Sequence, residues 1–164
     1  MPFYDLNYTF ILVSEAVGYK SAIDLVETCR SAGMVEQDYF DTGFDHGIPD
    51  FDKGYFFNYM TENDVKANIE ILEKDSKILQ AGARFGYPWT LWTLWTLLFS
   101  KSKKHFNKML KLMEAKYGSG LPMNHEVGEI INFADDKTVA YLLRGRNNNV
   151  DFVSFKIGDK VFWG

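Results

Sequence analysis

Residues 129–164 read EIINFADDKTVAYLLRGRNNNVDFVSFKIGDKVFWG, and this stretch decides the fold. Short runs rich in Ile, Val, Phe and Tyr alternate with residues suited to tight turns. The runs predict strands at 129–134, 138–144, 150–157 and 160–163. Asp135-Asp136, Arg146-Asn147-Asn148-Asn149 and Gly158-Asp159 supply the hairpin turns between them. Four consecutive strands joined by short turns make an antiparallel meander.

Upstream of the meander, helical patterns dominate. Phe106, Met109, Leu110 and Met113 recur at helical spacing and predict a helix that ends near Gly118. Ser21 with Asp24 three residues later resembles a capping box, which opens a helix running to Gly33. Thr61 and Asp64 repeat that signature, and Val65, Ile69, Leu72 and Leu79 follow with charges between them, so a helix is expected over 62–80. Residues 8–13 (YTFILV) and 55–59 (YFFNY) read as strands from their aromatic and β-branched content. Together these elements predict an α+β fold: one domain of three or four helices packed on a mainly antiparallel sheet, with a C-terminal β-meander.

Residues 89–99, WTLWTLWTLLF, use one three-residue pattern three times. Pro88 at a first helical position and the period of three favour a helix; Trp and Thr favour a strand. Periodicity leaves both open, and either way the segment is core.

The totals set bounds. A chain of 164 residues with 46% apolar content builds a core without disulfides or structural metals. The single cysteine, Cys29, sits beside Ala22 and Val26 on its helix and reads as a buried thiol in a reducing compartment. Asp5 stands where a secretory signal would carry a basic residue, and the 11 residues of 89–99 fall short of the roughly 20 a membrane-spanning helix needs. A cytoplasmic protein with no membrane span is expected.

Signatures of catalysis are missing. There is no phosphate-binding glycine loop, no Gly-x-Ser-x-Gly, and His125-Glu126 is not followed by a second histidine at zinc-protease spacing. His105, among lysines on an amphipathic helix, reads as a surface residue. No catalytic residue, metal or cofactor is assigned, and the enzyme question stays open, leaning against one.

Charge is polarised. Residues 1–60 hold ten acids and three bases, whereas residues 101–164 hold seven acids and eleven bases. The acidic half concentrates in a stretch expected to be a long loop from Glu36 to Lys53, interrupted by Gly43, Gly47 and Pro49. Glu36, Asp38, Asp41, Asp45, Asp50 and Asp52 are interleaved there with Tyr39, Phe40, Phe44 and Phe51. Carboxylates steer a basic partner and aromatics supply desolvated anchors. Asp38, Tyr39, Phe40, Asp41, Phe44, Asp45, Asp50 and Asp52 therefore form the candidate partner-binding surface. The partner this surface fits is a basic protein such as a toxin or nuclease, neutralised by an inhibitor or immunity-type protein.

Four other readings compete. The loop is a solvated segment whose acids only keep the chain soluble; or Asp45, His46, Asp50 and Asp52 hold a metal, although Asp50-Phe51-Asp52-Lys53-Gly54 matches only a fragment of a calcium loop. Or an enzyme or small-molecule site assembles from dispersed Tyr, Asp and His residues. A basic helix with Lys101, Lys103, Lys104, Lys108, Lys111 and Lys116 could engage nucleic-acid phosphates, with Arg144 and Arg146 extending the patch. Net acidity and the lack of an RNA-binding signature disfavour that last reading.

Overall fold

The computed structural model describes residues 6–39, 48–61, 65–88, 98–125, 128–147 and 150–163. In chain order they form α1 (Leu6–Ser14), α2 (Ala22–Ser31), β1 (Val35–Gln37), β2 (Lys53–Met60), β3 (Lys66–Lys74), β4 (Lys77–Pro88), α3 (Leu98–Tyr117), β5 (Leu121–His125), β6 (Gly128–Ala134), β7 (Thr138–Asn147), β8 (Val150–Asp159) and α4 (Lys160–Trp163). The strands make one antiparallel sheet in the order β1-β2-β3-β4-β8-β7-β6-β5. Two meanders are thus fused along the β4–β8 seam. The expected α+β class and the C-terminal meander are present.

Register sorts the side chains into two faces, because directly opposed residues share a side and neighbours along a strand alternate. Phe57, Ile69, Ala83, Phe155 and Leu142 form one row across β2, β3, β4, β8 and β7, and each of them is buried. This face carries α1, α2 and α3. Phe10 of α1 meets the Phe155 ring edge-on at 5.6 Å, and Phe106, Met109 and Met113 of α3 are buried in the same core. Fully burying side chains of this size contributes about 1.5–3 kcal/mol each.

The residues 8–13 expected as a strand are helical. Leu6, Phe10 and Val13 fall at i, i+4 and i+7, all buried, so burial against the sheet overrides their β propensity. The end of this helix is satisfied from α3, where Lys116 Nζ donates to the Ser14 carbonyl at 3.0 Å. For α2 the sequence reading holds. Ser21 accepts from the Asp24 N–H, and Gly33 at φ +81° ends the helix with N–H bonds from Gly33 to Arg30 and from Met34 to Cys29.

Of the helix expected over 62–80, residues 62–64 lie outside the described residues and the rest belongs to a β-hairpin instead. Val65, Ala67, Ile69 and Ile71 alternate with Lys66, Asn68 and Glu70, and they all pack into the helix-side core. Asp75 and Ser76, at φ 51° and 66°, make the turn, which is the primed geometry that matches strand twist. Leu79 is the extra residue of a bulge opposite Leu72 and Glu73. The expected strand at 160–163 is instead a helical turn, capped by Asp159, which accepts from the Val161 N–H at 3.0 Å. Pro88 closes β4 rather than opening a helix, and residues 89–97 of the repeated pattern lie outside the described residues.

Beneath the sheet, on the face away from α1, α2 and α3, Phe56, Leu72, Leu79 and Phe152 form a second buried set separate from the main core. Glycines shape this face. Tyr39 lies on Gly54, so that a Cβ there would come within 2.6 Å of the ring, and Trp163 lies on Gly158 in the same way at 2.7 Å. Gly54, Leu72, Gln80 and Gly158 stand in one register row, so these two rings mark its ends across β2 and β8.

Candidate functional site

Three regions carry polar chemistry. The first is the acidic segment between β1 and β2. Its two ends are joined, because the rings of Tyr39 and Phe51 meet edge-on with centroids 5.6 Å apart, and Tyr39 is seated on Gly54. The far end is tied to the β3–β4 turn. Asp52 Oδ2 accepts the Asp75 N–H at 2.9 Å, and Lys74 Nζ donates to the Asp50 carbonyl at 2.9 Å.

Of the predicted surface residues, Asp38, Asp50 and Asp52 are exposed and Tyr39 is half-buried. Among the described residues, the carboxylates of Asp38 and Asp50 form no ion pair. Phe40, Asp41, Phe44 and Asp45 lie outside the described residues, as does His46. The expected loop limits need correction at both ends, since Glu36 belongs to β1 and Lys53 to β2. Glu36 is also spoken for. Arg30 donates from Nε and Nη2 to its two carboxylate oxygens at 2.9 and 3.0 Å, and that guanidinium holds the Glu36 carboxyl below its ordinary range.

The second region lies under α3 and was not anticipated. Tyr87 and Asp151 are directly opposed at the β4–β8 seam, and both are buried. His105 is not a surface residue: its ring packs on Tyr87 at 5.2 Å, and its Nδ1 is hydrogen-bonded to the Tyr87 hydroxyl. Burial raises the Tyr87 pKa, which keeps the phenol protonated. One turn away, Arg144 Nε donates to the fully buried Ser102 Oγ at 3.3 Å, and its Nη1 lies 3.7 Å from Glu129. The Tyr87–His105 and Arg144–Ser102 bonds run between α3 and the sheet. The cluster uses its polar groups to seat the helix. Sequence reasoning missed it because Tyr87 and Asp151 are 64 residues apart and meet only through register.

The third region is the outer side of α3. Lys103, Lys104, Lys108 and Lys111 are exposed and none forms an ion pair among the described residues, whereas Lys116 is committed to Ser14 and to the face of Tyr117. Cys29 is buried as expected, and burial pushes its thiol up to about 12. Among the described residues no group of three or more His, Cys, Asp and Glu is placed to hold a metal. No helix of the described residues is long and apolar enough to cross a membrane.

Comparison with family models, curated proteins and solved structures finds no match.

Proposed function

We propose that the protein acts by binding a basic protein partner through the segment 38–52, as an inhibitor or immunity-type protein that neutralises a toxin such as a nuclease. The observation that supports this reading is the closed neck of the segment. Tyr39 and Phe51 bring the two ends together, and the carboxylates of Asp38 and Asp50 stand exposed beside them, unpaired among the described residues. A loop with joined ends loses less conformational freedom when it binds. Its acids accelerate the approach of a cationic surface such as the phosphate-binding cleft of a nuclease.

In the polar cluster under α3, Tyr87 is bonded to His105 and Arg144 to Ser102, so these four side chains already tie the helix to the sheet, which supports a binding reading over an enzyme. The test is protection of cells. Where a basic toxin is found encoded beside this protein, a cell expressing that toxin should survive when the wild-type chain is co-expressed. Replacing Asp38, Asp41 and Asp45 by Asn removes that protection at equal protein level. Full protection by the triple variant would place the binding surface elsewhere.

A further inference from the structure

Four turns meet at one end of the sheet and enclose a groove of about 650 Å³. The α1–α2 corner contributes Gly18–Ser21, the β3–β4 turn Asp75–Lys77, the β6–β7 turn Asp136 and Lys137, and the start of α4 Asp159–Val161. The walls are stitched together by backbone hydrogen bonds. Ala22 N–H donates to the Ser76 carbonyl at 3.1 Å, Lys160 N–H to the Lys137 carbonyl at 2.9 Å, and Ser21 bridges Lys77. Gly18 turns the corner at φ +86°, and a Cβ there would already touch Thr138 at 3.6 Å. The groove is therefore built into the fold, and its volume falls in the range of small-molecule sites.

Its charge comes from four separate segments. Lys20, Lys77, Lys137 and Lys160 line it, and none of them forms an ion pair among the described residues. Lys137 instead rests its ammonium over the ring of Tyr19 at 4.3 Å, and that ring is 62% exposed. Three carboxylates in the lining offset part of the lysine charge: Asp159, which caps α4, and the exposed Asp75 and Asp136. The N-terminus of α2, at Ser21, adds partial positive charge to the same wall.

We propose that this groove binds a small-molecule anion carrying two or more phosphoryl groups. Lysine recognises phosphate as a point charge, so lysines drawn from four separate segments suit charge spread over several phosphoryl oxygens. A single phosphate reaches too few of them to outweigh Asp75 and Asp136. The aromatic face of Tyr19 at the rim adds a surface on which the ring of a nucleotide can stack.

The experiment is calorimetric titration of the full chain with inorganic pyrophosphate, then with ATP and with orthophosphate, at low ionic strength. Saturable one-to-one binding of pyrophosphate is expected with a dissociation constant of about 1 mM or below, and weaker binding of orthophosphate by about tenfold. Tighter binding of ATP than of pyrophosphate identifies a nucleotide as the ligand; equal binding identifies the polyphosphate group alone. Lys77→Gln with Lys137→Gln weakens pyrophosphate binding by about tenfold or more, and Lys20→Gln with Lys160→Gln does the same if the first pair fails to fold. Lys104→Gln with Lys108→Gln on α3 leaves it unchanged. No saturable binding, orthophosphate bound as well as pyrophosphate, or an equal loss from the α3 pair would overturn the proposal.

Discussion

Glu70 and Lys156 stand on strands that are not neighbours, and their charges meet above Gly82 on the strand between them, with Nζ 3.7 Å from Oε1. Both side chains are largely withdrawn from water, at 14% and 16% exposure. The glycine makes the crossing possible. A Cβ at position 82 would lie 2.8 Å from Lys156 Cγ and would collide with the Phe155 carbonyl. This pair spans the seam where the two meanders fuse, beside the stack of Arg84 on Phe152 at 4.2 Å.

Gly82→Ala should therefore cost about 1–3 kcal/mol, since the added methyl presses on backbone as well as on a flexible side chain. Urea denaturation reads this as a lower midpoint at unchanged slope. A midpoint equal to that of the wild type would show that the strands absorb the methyl.

Breaking the pair from one side should cost more than removing it whole. Lys156→Met leaves the Glu70 carboxylate shielded without its cation, and the expected loss is about 2–4 kcal/mol. Adding Glu70→Leu recovers part of that loss, because two apolar side chains suit a largely buried place. Additive losses in the double variant would contradict a coupled pair.

The seating of α3 on β4 gives a third expectation. His105→Leu strands the buried Tyr87 hydroxyl and should destabilise by about 1–3 kcal/mol, whereas Tyr87→Phe removes the hydroxyl with it and costs about 1 kcal/mol. Thermal unfolding of the two variants and of their combination separates the cases.

Alkaline pH supplies a fourth. Burial raises Cys29 from 9.0 to about 12 and Tyr117 from 10.0 to about 12. Between those values the unfolded chain has released protons that the folded chain keeps, so folding stability falls as pH rises from about 9 to about 12. Below about pH 8 neither group contributes an appreciable slope. Cys29→Ala should flatten the lower part of that decline, and the native thiol should resist alkylation at neutral pH until the protein is unfolded.

How much of this was legible follows from the kind of signal each element carries. The β6–β7–β8 meander announces itself because its strands alternate and its turns carry Asp, Asn and Gly. The β3–β4 hairpin hides, since Asp75-Ser76 lacks the glycine usual at such a turn and the bulge at Leu79 breaks the alternation that Val65 to Ile71 keep. Leu72 and Leu79 complete a helical spacing with Val65 and Ile69, yet they face the opposite side of the sheet. For α1, aromatic and β-branched residues point to a strand, and only the core waiting above Phe155 explains the helix. The acidic segment was legible as composition. Its closed neck was not, because the contact of Tyr39 with Phe51 and Gly54 depends on β2 lying against β1.

The measurement that bears most directly on the proposed function is the association rate with the basic partner as ionic strength is raised. For the wild-type chain the rate should fall steeply with salt, by about tenfold or more over the usual range, because exposed carboxylates steer the encounter. With Asp38, Asp41 and Asp45 changed to Asn, the low-salt rate should drop and most of that salt dependence should vanish. If the triple variant kept both the wild-type rate and its full salt slope, the segment 38–52 would not be the binding surface.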